Sequence, residues 1–213
     1  TPIACVLPAS LTPEERRDAH RALKGTLLRQ EVYGLDGAPL LQGIPFSVSE
    51  SSYTVKKLQS SKIAKGTTRP KLHGVYQVLP RETRDHAYDR VAADPRVTQW
   101  AALAHDSAYG FVTSSASVAY ARRTTPLDAA ETGDPALVGL GTDPLSAEQD
   151  RVYAVVSDVT VAHAVEVATG YRLAIPTATV AYELTGLSGS SPLSVETLVS
   201  SYATACATVT SLT

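Results

Sequence analysis

What the chain has little of narrows it first. It holds no methionine and only two cysteines, Cys5 and Cys206, one near each end of its 213 residues. The missing initiator marks Thr1 as a processing site or as the edge of a piece cut from something longer. Two cysteines exclude a disulfide framework and any centre built from several thiolates. Neither sign of charge is in excess: 19 basic against 21 acidic residues leave a formal net charge of −2, so nucleic acid and anionic membrane surfaces find no electrostatic footprint. No apolar run approaches the roughly 18–20 residues of a membrane span, and the first residues lack the charged start and apolar stretch of a targeting signal. What is there, 44% apolar and 19% charged residues, is enough to bury a core without covalent staples.

For the cysteines two readings stay open. A Cys5–Cys206 disulfide would close a loop of almost the whole chain and stabilise it by roughly 4–5 kcal/mol in the chain-entropy model. Unpaired, each would pack as a small buried hydrophobe.

Local signals give the order of elements. Thr12-Pro13-Glu14-Glu15 is a complete helix start, with a capping threonine, a proline at the first helical position and a glutamate to close the capping box. The helix should run to about Lys24, with Gly25 as the left-handed residue that ends it. From Thr26 to Gly34 the period becomes two, Leu35-Asp36-Gly37 reads as a turn, and Pro45 to Gln59 is a Ser/Thr-rich extended stretch. Ser60 to Lys71 is a basic connection. Leu72 to Leu79 reads as a strand, and Val97 to Ala104 with Phe111 to Arg122 as a hairpin around Asp106–Gly110. Thr124 to Asp150, with Pro126, Pro135 and Pro144 among acidic residues and glycines, is a long connection and the best internal boundary, separating 1–123 from 151–213. Arg151 to Val167 alternates strongly, Ala178 to Leu184 adds a strand, and Leu193, Leu198, Tyr202 and Cys206 recur at helical spacing. The fold class expected is mainly β, with antiparallel strands and hairpins in a shell-like or sandwich-like sheet and a short helix near each end.

Chemistry-bearing motifs are sparse. The five histidines, His20, His73, His86, His105 and His163, have no second ligand at a spacing that puts two nitrogens on one face, so no metal site and no cofactor is expected. Gly139-Leu140-Gly141 lacks the rest of a phosphate loop, and Gly186-Leu187-Ser188-Gly189-Ser190 misses a nucleophile elbow by one position and reads as a turn. His86, Asp89 and Asp94, among Arg84, Arg90 and Arg96, could supply an acid and a base in a cleft, or form a salt-bridged surface segment. The surface reading is the simpler. His105 and Asp106 at the hairpin tip point to opposite faces, and Cys206 on an apolar helical face suits packing better than nucleophilic chemistry. No catalytic residue is singled out.

The run Arg21-Ala22-Leu23-Lys24-Gly25-Thr26-Leu27-Leu28-Arg29-Gln30-Glu31-Val32-Tyr33-Gly34-Leu35-Asp36-Gly37 resembles the segment that opens the middle-to-C-terminal region of the B component of insecticidal toxin complexes, the TcdB-like proteins. Pro45–Glu50 with Leu58-Gln59, His86–Arg90 with Asp94–Val97, Ser115–Arg123 and Tyr182–Leu187 resemble later blocks of that family in the same order. The hairpin tip Tyr109-Gly110-Phe111 differs, standing where the family pattern has a Gly-Asn pair. The resemblance implies a structural, non-catalytic piece of a secreted β-strand shell. With a C-component partner that shell encloses a toxic polypeptide, and an A component delivers it. Two rivals remain: a stand-alone secreted lectin-like module, in which Tyr33, Tyr76, Tyr88, Tyr109 and Trp100 would stack on sugars, and a hydrolase using the His86 region.

Overall fold

The computed structural model describes residues 3–35, 37, 41–61, 73–88, 95–122, 149–162 and 164–210. Helix α1 (Pro13–Ala22) begins as its sequence dictates. The Thr12 hydroxyl accepts from Glu15 N at 3.2 Å, and the Glu15 carboxylate accepts from Thr12 N at 3.2 Å. It stops two residues short of Lys24, because the N–H groups of Leu23 and Lys24 turn back to the carbonyls three residues earlier. Gly25, at φ +88°, then takes the left-handed conformation expected of it.

The strands that follow are β1 (Arg29–Val32), β2 (Ser47–Gln59), β3 (Val75–Ala87), β4 (Arg96–His105), β5 (Val112–Ala119), β6 (Tyr153–Ala162), β7 (Val165–Val167), β8 (Gly170–Arg172) and β9 (Ile175–Glu183). Seven of them form one antiparallel sheet in the order β1-β2-β3-β4-β5-β6-β9, while β7 and β8 make a separate small hairpin. Helix α2 (Val195–Thr210) closes the described chain, with Ser194 Oγ accepting from Thr197 N at 3.1 Å as its N-terminal cap. The mainly antiparallel fold with a helix near each end is as the sequence leads one to expect. Because β5 pairs with β6, residues on both sides of the 124–150 connection lie in the same sheet.

Several strand boundaries also differ from expectation, β1 and β5 being shorter than read. β3 does not end at Leu79 but continues through Pro80 to Ala87, and this is possible because the ladder shifts register between Ser52 and Tyr53 of β2, where Pro80 sits and no regular N–H bond is needed. The 151–167 stretch splits into β6 and β7. β9 starts at Ile175, three residues early. The turn at Asp36, the basic connection from residue 62 on, most of the 124–150 connection, and Asp89, Arg90, Asp94 and His163 fall outside the described residues.

The main core lies between α2 and β4, β5 and β6. Ala101, Ala116 and Val156, and beside them Val118 and Ala154, are directly paired across the three strands. All are buried, and Leu198 of α2 is 0% exposed above them. Alanines on the sheet let the helix axis approach closely, so one leucine fills the gap. The β4–β5 tip is equally determined by its residues: Asp106 Oδ2 accepts from Ala108 N and Tyr109 N at 3.0 and 2.7 Å, and Gly110 sits at φ +77°.

Candidate functional site

Along the sheet face that α2 covers, the apolar floor gives way to charge. Register places Glu50 of β2 beside Arg84 of β3, Gln99 of β4, Val118 of β5 and Ala154 of β6; one step along, Ser52, Glu82, Ala101, Ala116 and Val156 make a parallel row. Strand alternation thus carries Glu50, Glu82 and Gln99 onto the inner face, and all three are buried.

Glu50, Glu82 and Gln99 each have a hydrogen-bond partner, whereas Ser52 Oγ in the same row has none. Glu82 accepts from Arg84 Nε at 2.9 Å and from Gln99 Nε2 at 2.7 Å. Gln99 Nε2 also donates to the Leu193 carbonyl at 3.0 Å, while its Oε1 accepts from the Tyr120 hydroxyl at 2.5 Å. Tyr120 Oη in turn accepts from Leu193 N at 2.8 Å. Burial pushes the Tyr120 hydroxyl above its ordinary pKa, so it stays protonated and can serve as donor and acceptor at once. Further out, Arg29 of β1 bonds Glu50 through Nη1 and Glu31 through Nε. Arg81 reaches Glu196 of α2 at 2.9 Å. The row therefore ties the entrance of α2, at Leu193, to the middle of the sheet. Its carboxylates are engaged with guanidinium and amide groups.

His86 lies at the outer end of this row, opposite Val48 and Val97. Burial is the chief reason its pKa is lowered, with Arg84 and Arg29 acting the same way and Glu50 and Asp85 opposing them. Its Nδ1 is buried with no hydrogen-bond partner, and its ring stacks at 6.1 Å on Tyr88. The surface salt-bridge reading of this segment is corrected in part: Arg84 and His86 belong to an interior strand and face Glu82 and Glu50. His105 and Asp106 do unrelated jobs. His105 Nε2 meets the Pro80 carbonyl at 2.9 Å, and Asp106 builds the turn.

Sequence reasoning missed Glu50, Glu82, Gln99 and Tyr120. The alternation Glu82, Arg84, His86 on one face against Thr83 and Asp85 on the other was the available signal. The five aromatics do not assemble into one platform. Tyr109 donates to Glu166 at 2.6 Å, which raises its pKa to about 12, whereas Trp100 lies on the open face with Asp85, Ser117 and Tyr153 around a shallow depression of about 330 Å³. Cys5 is half-buried and Cys206 exposed, and no disulfide joins them in this structure. Among the described residues no group of three or more His, Cys, Asp or Glu side chains could hold a metal ion, and no helix is long and apolar enough to cross a membrane.

Comparison with solved structures finds a similar fold in the crystal structure of TcdB2-TccC3, with a TM-score of 0.68 and 24% identity over 92% of this chain and 9% of that one. The crystal structure of TcdB2-TccC3-TEV matches with a TM-score of 0.66 at 26% identity, over the same shares of the two chains. The Photorhabdus luminescens Tc holotoxin pore carrying a TccC3 mutation matches with a TM-score of 0.65 at 27% identity, over 86% of this chain and 8% of that one. The chain thus spans less than a tenth of each chain it matches. Comparison with curated proteins found no match. The family described as the insecticide toxin TcdB middle/C-terminal region matches residues 18–174, and since this is well over half of the sequence, the chain belongs to that family.

Proposed function

We propose that this chain is a structural, non-catalytic segment in the wall of a secreted toxin-complex B component, which with a C component encloses a toxic polypeptide that an A component delivers. One observation carries the reading: 86% of the chain superposes on 8% of a chain in a Tc holotoxin pore at 27% identity. The physical character of the sheet supports it. A wall needs a broad antiparallel sheet in fixed register, and the buried polar groups here are engaged in holding strands and helix together. The test is to produce the full-length protein containing this segment together with a C component. The polypeptide carried by the C component should co-purify and resist a protease that digests it when free. Digestion at the free rate, or failure of the two components to associate, overturns the proposal. In the same assay His86→Ala should leave association and protection unchanged.

A second reading has one observation in its favour, the Trp100–Asp85–Tyr153 depression, where an indole stands beside a carboxylate and small hydroxyl side chains as in a sugar site. Oligosaccharide titration followed by Trp100 fluorescence tests it. A flat titration across common hexoses removes it.

A further inference from the structure

The two edges of the seven-stranded sheet are built differently. At one edge β1 is four residues long, reads Arg-Gln-Glu-Val, and carries the Arg29–Glu31 and Arg29–Glu50 pairs. Short, charged edges of this kind resist further pairing. At the other edge β9 is nine residues long, all exposed, with Glu183 at its last position as its single charged residue. Its one blunting residue, Pro176, stands near the start, opposite a register shift in β6. Leu184 N donates to the Ala154 carbonyl at 2.8 Å, which makes Val155 and Glu183 a non-hydrogen-bonded pair. The backbone N–H and C=O groups of Thr179, Ala181 and Glu183 therefore point away from β6, and among the described residues nothing pairs with them.

The side chains next to that edge suit an added strand. Val180 and Tyr182, partners of Asp158 and Val156, are 49% and 50% exposed on the α2 side of the sheet. Beside them a cleft of about 320 Å³ is lined by Val156, Leu184, Tyr202, Ala205 and Cys206. The Tyr202 hydroxyl is held by Asp158, which raises its pKa and keeps it a neutral donor.

We propose that the outer edge of β9, from Thr179 to Glu183, pairs with an extended segment of the same longer polypeptide, whose every second side chain is apolar and enters the cleft between β9 and α2. This rests on the reading of the chain as a wall segment. The occupant follows from three observations: the edge is long and nearly uncharged, the adjacent cleft is apolar, and the matched chains hold more than ten times this length of polypeptide. A strand on the same chain meets the edge at high effective concentration without any further association step. It adds main-chain hydrogen bonds for affinity and alternate side chains for register.

Residue-resolved amide exchange on the full-length protein tests the proposal. The outward amides of Thr179, Ala181 and Glu183 should exchange on the order of 100-fold more slowly than solvated amides, matching the inward amides of Val180 and Tyr182. Ala181→Pro, which removes one outward N–H and no bond to β6, should abolish protection at Thr179 and Glu183 while leaving β4 and β5 protected. Fast exchange of the three outward amides in the unmodified protein overturns the proposal. So does protection that vanishes on dilution, which identifies a second copy as the occupant. Enclosure of the toxic polypeptide is read separately by protease resistance: an enclosing protein with an unprotected β9 edge refutes this inference alone, and a protected edge in a protein that encloses nothing refutes the wall reading alone.

Discussion

Replacing Tyr120 by phenylalanine isolates the hydrogen bonds that fasten α2 to the sheet. The ring, 6% exposed, keeps its packing, and only the hydroxyl is lost. Two groups are then orphaned. Gln99 Oε1 loses the donor at 2.5 Å and lies in a residue 2% exposed, so it bears an uncompensated desolvation cost of about 1–3 kcal/mol. Leu193 N loses its acceptor at 2.8 Å but sits at a half-buried position, where partial hydration holds the cost to about 0.5–1 kcal/mol. Together Tyr120→Phe should destabilise the protein by about 1.5–4 kcal/mol, read as a lower urea midpoint at unchanged m. Gln99→Leu removes the acceptor itself, so the double variant should fall short of additivity by about 0.5–3 kcal/mol. A loss below about 0.5 kcal/mol for Tyr120→Phe, or strict additivity, would refute the claim that this hydroxyl couples helix to sheet.

Leu198→Ala should cost about 3–5 kcal/mol, the upper part of the range for buried leucines, because the alanine floor of Ala101 and Ala116 is already in close contact and cannot collapse further; equilibrium denaturation checks it. Gly110→Ala should destabilise by more than about 1 kcal/mol in the same measurement, since the backbone there is at φ +77° and a Cβ would stand 2.4 Å from Leu79 Cδ2. For His86 the folded-state pKa is lowered, chiefly by burial. Its contribution to stability is therefore complete above its ordinary value and declines as pH falls through about 6.5 toward the lowered value, where the unfolded chain binds the extra proton. Urea midpoints at about pH 7.5 and about pH 5.5 should differ less for His86→Gln than for the unmodified protein; equal differences would show that His86 does not set this slope. The carboxylates held low, Glu15 by the Thr12 backbone, Glu31 by Tyr33 and Glu196 by Arg81, act only at lower pH, where stability present above their unfolded values is lost.

Elements written in a few adjacent residues were legible in the sequence. The capping box of α1 and the Asp106–Gly110 turn each draw on neighbours within four positions, and both appear as read. The second half of β3 was not legible in the same way. Arg81–Ala87 looks like a solvated charged segment because the groups that neutralise it lie elsewhere in the chain: Glu82 meets Gln99, 17 residues on, and Arg81 meets Glu196, 115 residues on. The candidate site suffered from the same distance. His86 was noticed for its local company, Asp89 and Asp94, whereas its electrostatic surroundings include Glu50 and Arg29 from two other strands. Gln99 and Tyr120 carry no local signal at all; only pairing register reveals that one side chain serves both strands and the start of α2.

That register is itself what the charged row secures. β2 reads Ser-Val-Ser-Glu-Ser-Ser-Tyr-Thr-Val before its lysines, and so polar a strand gives weak hydrophobic instruction about which residue should oppose which. A slip of β2 by one position would carry Glu50 to the open face, away from Arg29, and a slip of β3 would do the same to Glu82, away from Gln99. A carboxylate moved away from such a partner loses a charge-assisted hydrogen bond, which the packing of serines and threonines does not return. The charged half of the sheet thus fixes alignment where α2 does not reach, and the alanine-floored half fixes it where α2 does. A sheet aligned independently at both ends holds its shape without a second layer over its whole width, which is the mechanical property required of a segment of wall.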